Sequence, residues 1–365
     1  LNTAKPTWAA LLACIGIAGA QPKLTLIATG DDAVQDQSVT LGYAFAPGDV
    51  PKGKTLAATT PLGTSVSIQV DAKATHADGS LRHAVLTLRH SLSAKGTEAV
   101  ALKPVDPSPA PSPLPPAALL ATDYDVTVTL GLATATYTAS ARAALQAAVS
   151  AGGPKTWLAG PLVSEWLVNA PFADAAGKPH PHLSARFEIR AYAGMASVRT
   201  GVTVENAWAY EPDPSGFTYT TKIKAGENTY EQAAMPHTHH ARWRKVVWKG
   251  EMPALDAALD RDYLISTGAV PEYDRGVSPA ASALAGMQAE FAPMSEGNLS
   301  SYMPETGAHD DIGPLPRFAA LYLLSMDARA RDNVLANGMA GGSFQIHYRD
   351  KAKDLPVSLD DYPYM

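Results

Sequence analysis

Between Lys23 and Pro104 apolar and polar residues alternate in short runs, "KLTLIAT", "SVTLGYAF", "TSVSIQV", "LRHAVLTLRH" and "EAVALKP", each cut off by glycine, proline or aspartate. Successive side chains of a strand point to opposite faces, so a period of two puts one apolar face on each run. Short runs closed by turn-forming residues predict a small antiparallel β-domain over 23–103. The stretch "PVDPSPAPSPLPPA" follows, in which proline removes ladder donors and favours an extended connector. The spacing therefore predicts a linker over 104–120.

From 121 to 250 the runs lengthen: "DYDVTVTLGLATATYTA", "HLSARFEIRAYA", "SVRTGVTVENAWAY" and "GFTYTTKIKA". Strands of that length with both faces partly apolar predict two packed sheets, a β-sandwich. One helix is expected in "SARAALQAAVSAGG", with Ser140 as its N-cap and Gly152 as its stop. After Gly250 the texture turns helical, in "MPALDAALDRDYLIS" and in "GPLPRFAALYLLSMDARARDNVLANGMAGG". Leu315, Phe318, Ala319, Tyr322 and Leu323 fall at helical spacing, and a second helix is expected from about Ala328 to the Gly341-Gly342 pair. The predicted class is mainly β with a C-terminal α region spanning 251–365. Two helices alone cannot bury their apolar faces, so that region reads as the incomplete start of a larger helical domain.

Charge narrows the partners. The chain carries 29 Lys and Arg against 35 Asp and Glu, a net charge of −6. General nucleic-acid binding needs a basic excess, so it is not expected. A single cysteine, Cys14, excludes an intrachain disulfide and a cysteine-rich zinc site. The apolar segment 1–22, "AKPTWAALLACIGIAGAQ" within it, resembles a secretory signal or a lipoprotein box around Cys14. Because the chain starts at Leu1, a retained apolar segment buried in an assembly is the preferred reading, with a secreted or lipid-anchored protein as the alternative. The run is too short for a membrane span, which needs about 20 apolar residues.

Three stretches carry a family resemblance. "VDAKATHADGSLRHAVLTLRHSL", with its Asp78-Gly79-Ser80 turn, "IGPLPRFAALYLLS" and "GSFQIHYRDKAKDLPVSLDDYP" resemble segments of exo-rhamnogalacturonan lyase-like proteins, including bacteriophage tail-associated members. The resemblance implies a RIFT-like β-barrel, then a β-sandwich, then the start of an α/α toroid, with polysaccharide as the ligand class. It carries no catalytic assignment residue by residue, because that centre belongs chiefly to the toroid.

The densest chemical signal is "MPHTHHARWRKVVWKG", residues 235–250. On one continuous strand, His237, His239, Ala241 and Trp243 would share a face, and His240, Arg242, Arg244 and Trp248 the other. This nominates His237, His239, His240, Arg242, Trp243, Arg244 and Trp248 as a saccharide-binding set, aromatic faces covering sugar C–H groups while charged donors reach hydroxyls. A sandwich strand with core tryptophans and solvated basic tips competes with that reading. A divalent metal on His237 and His239, completed by His180 or His182, is not favoured, and no cofactor is expected.

Near the C-terminus, a polysaccharide lyase would use Arg349 to neutralise a uronate, His347 to take the C5 proton and Tyr348 to protonate the leaving oxygen. Consecutive residues of an extended segment point in alternating directions, so a structural loop competes with this site too. His309, Asp310, Asp311, Asp360, Asp361 and Tyr362 lie in the same region, and Asp310 or Asp311 against Glu305 is a conceivable glycosidase pair. The absence of G-x-S-x-G, H-E-x-x-H and Walker patterns removes α/β-hydrolase, zincin and nucleotide-dependent readings. The expected function is a glycan-engaging structural component of a bacteriophage virion, in a tail, baseplate or fibre. The alternatives are a secreted polysaccharide lyase acting on acidic polymers and a purely structural assembly protein. Expected partners are polysaccharide and other virion proteins or copies of the chain.

Overall fold

A computed structural model describes residues 21–363 except 110, 195, 275 and 300–312. Cys14, the N-terminal apolar segment, Glu305, His309, Asp310 and Asp311 lie outside the described residues.

The first module is one antiparallel sheet of β1 (Lys23–Ala28), β2 (Val34–Ala44), β3 (Thr55–Thr59), β4 (Ser65–Thr75), β5 (Leu81–Leu92) and β6 (Thr97–Val105), closed by a later strand. Leu24, Leu26, Phe45, Leu86, Leu88 and Val100 form its core. The Asp78-Gly79-Ser80 stretch is the β4–β5 turn: Gly79 has φ +83°, and Asp78 Oδ1 accepts from the Ser80 backbone N–H at 2.9 Å. Ser80 Oγ in turn accepts from the Gly48 N–H at 3.0 Å, so the motif serves the turn.

A short helix, α1 (Pro116–Leu120), ends the connector. The second module comprises β7 (Val126–Gly131), β8 (Thr136–Ser140), α2 (Ala141–Ser150), β9 (Lys155–Ala159), β10 (Val163–Ala173), β11 (Pro179–Tyr192), β12 (Val198–Asn206), β13 (Phe217–Ala225), β14 (Asn228–His237) and β15 (Ala241–Lys249). Ser140 caps α2, accepting from the Ala143 N–H at 3.0 Å. The stretch "DYDVTVTLGLATATYTA" is the β7–β8 hairpin, not one long strand.

These strands form one nine-stranded sheet in the order β14-β13-β7-β8-β10-β11-β12-β15, with β9 on β10. Its halves meet at a single pair, Ala173 with Thr138, and fold over a shared core of Trp166, Phe172, Phe187, Tyr219 and Trp243. The module is therefore sandwich-like, but its two layers belong to one sheet.

The reading of "MPALDAALDRDYLIS", residues 252–266, as helix is corrected in its first half and holds for Arg261–Ser266. Leu255–Leu259 is a strand, β16, paired with β1 from Leu24 opposite Leu259 to Ala28 opposite Leu255. "LDAAL" favours helix locally, and only the exposed edge of β1, distant in sequence, makes it a strand. With β16 in place the first sheet rolls up: the Ala254 N–H donates to Gln37 Oε1 of β2 at 2.6 Å. The first module thus takes strands from both sides of the second. Helix α3 (Arg261–Ser266), capped by Asp260, plugs one end, where Tyr263 Oη donates to Asp49 at 2.7 Å.

Gln69 of β4 binds the modules together. Its buried amide donates to the Val163 carbonyl at 2.9 Å and accepts from the Leu162 and Val163 N–H groups. Gly160 makes room, since a Cβ there would lie 2.2 Å from the Gln69 amide carbon.

The remaining helices are α4 (Ala281–Ala285), α5 (Arg317–Ser325) and α6 (Ala328–Ala340), the last capped by Asp327. Helix α6 packs on α5 and reaches β15, where Arg244 lies 3.6 Å from Met339 Sδ. The chain then runs through Phe344–Tyr348 to a two-strand ladder, β17 (Arg349–Asp350) and β18 (Leu355–Pro356). No helix among the described residues is long and apolar enough to cross a membrane.

Candidate functional site

The two segments nominated from sequence, 237–248 and 347–349, meet at one end of the sandwich. The meeting depends on His240, whose φ of +62° ends β14 and starts β15, so residues 237–248 are not one strand. Histidine tolerates that left-handed conformation better than most residues. The turn exposes the His240 carbonyl, which accepts from the His347 N–H at 2.9 Å. The Arg349 N–H donates to Ala207 O at 2.8 Å and Ala209 N–H to Arg349 O at 2.9 Å, so residues 347–349 are laid across the end of β12.

A chain of rings results. His239 lies 3.8 Å from His240, His240 lies 4.1 Å from Tyr348, and His182 lies 6.3 Å from His239. His180 and His182 sit in a bulge of β11, where Ala173 pairs with Pro179 but Pro171 with Ser184. His180 Nδ1 accepts from the His182 and Leu183 N–H groups at 3.2 and 3.0 Å, which fixes the bulge. Burial holds the His239, His240 and His347 rings below the usual imidazole range, and holds His180 near pH 4. Burial thus favours the uncharged form of His180, His239, His240 and His347, in which an imidazole presents one donor and one acceptor.

Beneath the rings lies a buried carboxylate. Glu205 is 1 % exposed and accepts from Arg186 Nε at 2.5 Å, with Arg349 Nε at 3.7 Å and Arg242 Nη1 at 3.8 Å. Arg186 also pairs with Asp354, and Asn169 Nδ2 donates to the same carboxylate at 2.8 Å. These pairs strap residues 349–354 to β10, β11 and β12.

Several expected site residues are placed elsewhere. His237 and Trp243 are core residues: Trp243 Nε1 donates to Tyr219 Oη at 2.9 Å, and Tyr219 Oη lies 2.6 Å from His237 Nδ1. His237 Nε2 faces the Ala241 carbonyl at 2.9 Å, so it must carry the hydrogen and Tyr219 must donate to Nδ1. Both ring nitrogens are spent, which removes His237 from metal or ligand contact, and burial removes Trp243. The His180 Nδ1 bonds likewise leave that atom no place in a metal site. Among the described residues no group of three or more His, Cys, Asp or Glu is arranged to hold a metal ion.

The lyase trio does not converge. Arg349 is locked between Glu205 and Asp354, its Nη2 donating to Asp354 O at 2.6 Å. His347 Nε2 faces the Gly341 carbonyl at 3.4 Å, and only Tyr348 is exposed. Asp361 pairs with Lys353 at 2.9 Å, and Tyr362 Oη donates to Asp350 at 2.7 Å. Arg244 pairs with Glu188, and Trp248 stacks on Tyr192 at 6.2 Å, both away from the ring cluster.

What sequence reading missed is the cavity beside this network. A space of about 340 Å³ is lined by Trp208, Pro171, Pro179, Pro181, Ser184 and Lys351, with Asn169 and Asp354 at its rim. Of the seven buried side-chain atoms that lack a hydrogen-bond partner among the described residues, five lie in this region: His182 Nδ1, Ser184 Oγ, Glu205 Oε1, His240 Nδ1 and Arg349 Nε. Buried polar atoms are nearly always paired, so this end of the sandwich is less fully satisfied than the rest, and of the five residues only Ser184 lines the cavity. Flat apolar walls with a few convergent polar atoms are the usual make-up of a small-molecule site.

No protein-family model matches the chain, and no curated protein matches it. Among solved structures, a glycosyl hydrolase family 38 protein from Enterococcus faecalis is similar at 10 % identity and a TM-score of 0.29, over 56 % of this chain and 32 % of that one. An α-mannosidase from Enterococcus faecalis V583 is similar at 9 % identity and a TM-score of 0.29, over 56 % of this chain and 31 % of that one. The chain thus spans about a third of the length of each, and overlaps of this quality carry no argument about fold or activity.

Proposed function

We propose that this protein is a glycan-engaging structural component of a bacteriophage virion, in a tail, baseplate or fibre, and that it holds saccharide in the cavity beside Trp208. The cavity carries the reading: an indole and three prolines offer apolar faces to sugar C–H groups, while the Lys351 ammonium, which already donates to Glu211 at 2.8 Å and to the Pro181 carbonyl at 3.3 Å, keeps a third N–H for a sugar hydroxyl. His239, His240 and Tyr348 extend the contact surface along the same end. An Arg349 held by Glu205 and Asp354 and a His347 turned to the Gly341 carbonyl suit binding better than proton abstraction beside a uronate, which favours this reading over the lyase.

The virion setting rests on the sequence resemblance alone. On the same reading the rolled-up first sheet is a RIFT-type barrel, helices α5 and α6 open an α/α toroid, and the protein works in the virion or outside the cell. The test is a glycan array probed with the wild-type chain, Lys351→Ala and Trp208→Ala. Retention of a defined glycan set by the wild type, with loss in both variants at unchanged circular dichroism, supports the proposal. Absence of any retained glycan overturns it in favour of a purely structural assembly protein.

A further inference from the structure

The outward face of β10, β11, β12 and β15 carries a second feature, at the opposite end of β12 from Glu205. Six residues along a strand separate the two places, about 20 Å at the usual rise. There the register aligns Glu165 with Arg190, Arg190 with Arg199, and Arg199 with Trp248 across four neighbouring strands. Arg190 Nε donates to Glu165 at 2.6 Å, and Arg244 is taken up by Glu188. Gly201 allows the second pair to reach over β12, since a Cβ there would meet Glu188 Oε2 at 2.1 Å.

Arg199 is left over. Among the described residues it makes no hydrogen bond or ion pair, although it lies half-buried between two other arginines. Burial, then Arg190 and Arg244, lower its guanidinium to about 10, far below the usual arginine range. Both carboxylates near it are already committed to those arginines. Beside it the Trp248 and Tyr192 rings lie nearly parallel, 6.2 Å apart and tilted by 10°, and Val85 of the first module, Leu158 and Val163 complete an apolar wall.

We propose that Arg199 is the anchor of a binding site for a carboxylate carried on a ring, the guanidinium taking the carboxylate and the Trp248 face taking the ring. Arginine presents a planar fork that matches a carboxylate's two oxygens, and a partner anion would relieve the repulsion from Arg190 and Arg244. An indole face accepts either a sugar ring or an aromatic ring, so the shared chemistry is the ring-borne carboxylate. The site is separate from the Trp208 cavity and stands or falls without it.

The test is a titration of the full chain with sodium glucuronate and sodium benzoate, with glucose and benzamide as uncharged controls at matched ionic strength. Tryptophan fluorescence and melting temperature are read for the wild type, Arg199→Ala and Arg199→Lys. A saturable fluorescence change and a rise in melting temperature with one or both acids, but neither control, support the site. Which acid acts identifies the source of the carboxylate. Arg199→Ala then weakens the response roughly ten- to a hundredfold, and Arg199→Lys, which keeps the charge but not the fork, falls between. Because Arg199→Ala removes a repelled cation, it is expected to melt no lower than the wild type without ligand, so lost binding is not lost folding. No response of the wild type to either acid, or an equal response in Arg199→Ala, overturns the proposal.

Discussion

Arg186 donates from Nε to the buried Glu205 carboxylate and from Nη2 to Asp354, so one side chain of β11 holds both the end of β12 and the C-terminal segment. An otherwise irregular segment becomes a fixed wall of the cavity beside Trp208 because both carboxylates converge on that guanidinium.

Glu205→Ala leaves Arg186, Arg242 and Arg349 facing a buried hole without their shared counter-ion. Removing one partner of a buried pair costs about 3–5 kcal/mol. Chemical denaturation is expected to show a loss of that size, and amide exchange in residues 347–356 should quicken before the rest of the sandwich responds.

The Gly201 position tests the ion pair that crosses β12. A Cβ at 2.1 Å from Glu188 Oε2 and 2.4 Å from Arg244 Nη2 forces the pair apart. Gly201→Ala is therefore expected to destabilise by about 1–3 kcal/mol, in the range for overpacking. In an Arg244→Ala background the penalty should shrink, a coupling that a double-mutant cycle measures.

Acid should weaken the sandwich through its buried histidines. His237, fully buried, is lowered to about 4, first by burial, against about 6.5 in an unfolded chain. As pH falls below 6.5 the unfolded chain takes the proton first. The stability held above 6.5 therefore drains between there and about 4, by up to about 1.4 kcal/mol per pH unit for this residue. His180 adds to the loss with the same sign. His237→Gln, which keeps a donor and an acceptor but does not titrate, should flatten the slope of unfolding free energy against pH.

Trp243 separates packing from binding. Trp243→Phe removes the N–H that Tyr219 accepts and should cost about 1 kcal/mol. Trp243→Ala should cost about 3–5 kcal/mol through the cavity it leaves. Neither substitution should alter saccharide affinity in the folded fraction, measured calorimetrically, because the indole never reaches the surface.

Local signals were legible in the sequence and distant ones were not. Ser140 as a cap and the span of α6 from Ala328 to the glycine pair depend on neighbours within one turn, and both agree with the structure. The alternation in Ala241–Lys249 correctly turns Ala241 and Trp243 inward. It fails across His240, where a left-handed residue breaks the strand, a choice that the contact with residue 347 helps to fix. Strand β16 was hidden because its partner β1 lies at the far end of the described chain. Trp208, Ser184 and Asp354 sit in no motif, and only the bulge in β11 and the crossing of residues 349–354 bring them around one cavity.

The most direct measurement of the saccharide claim is fluorine NMR of the chain labelled with 5-fluorotryptophan, which carries six tryptophans, titrated with a neutral oligosaccharide retained on the array. The Trp208 resonance, assigned by Trp208→Phe, should shift saturably while the buried Trp243 resonance stays in place. A Trp208 signal that does not move while the oligosaccharide binds would contradict the account.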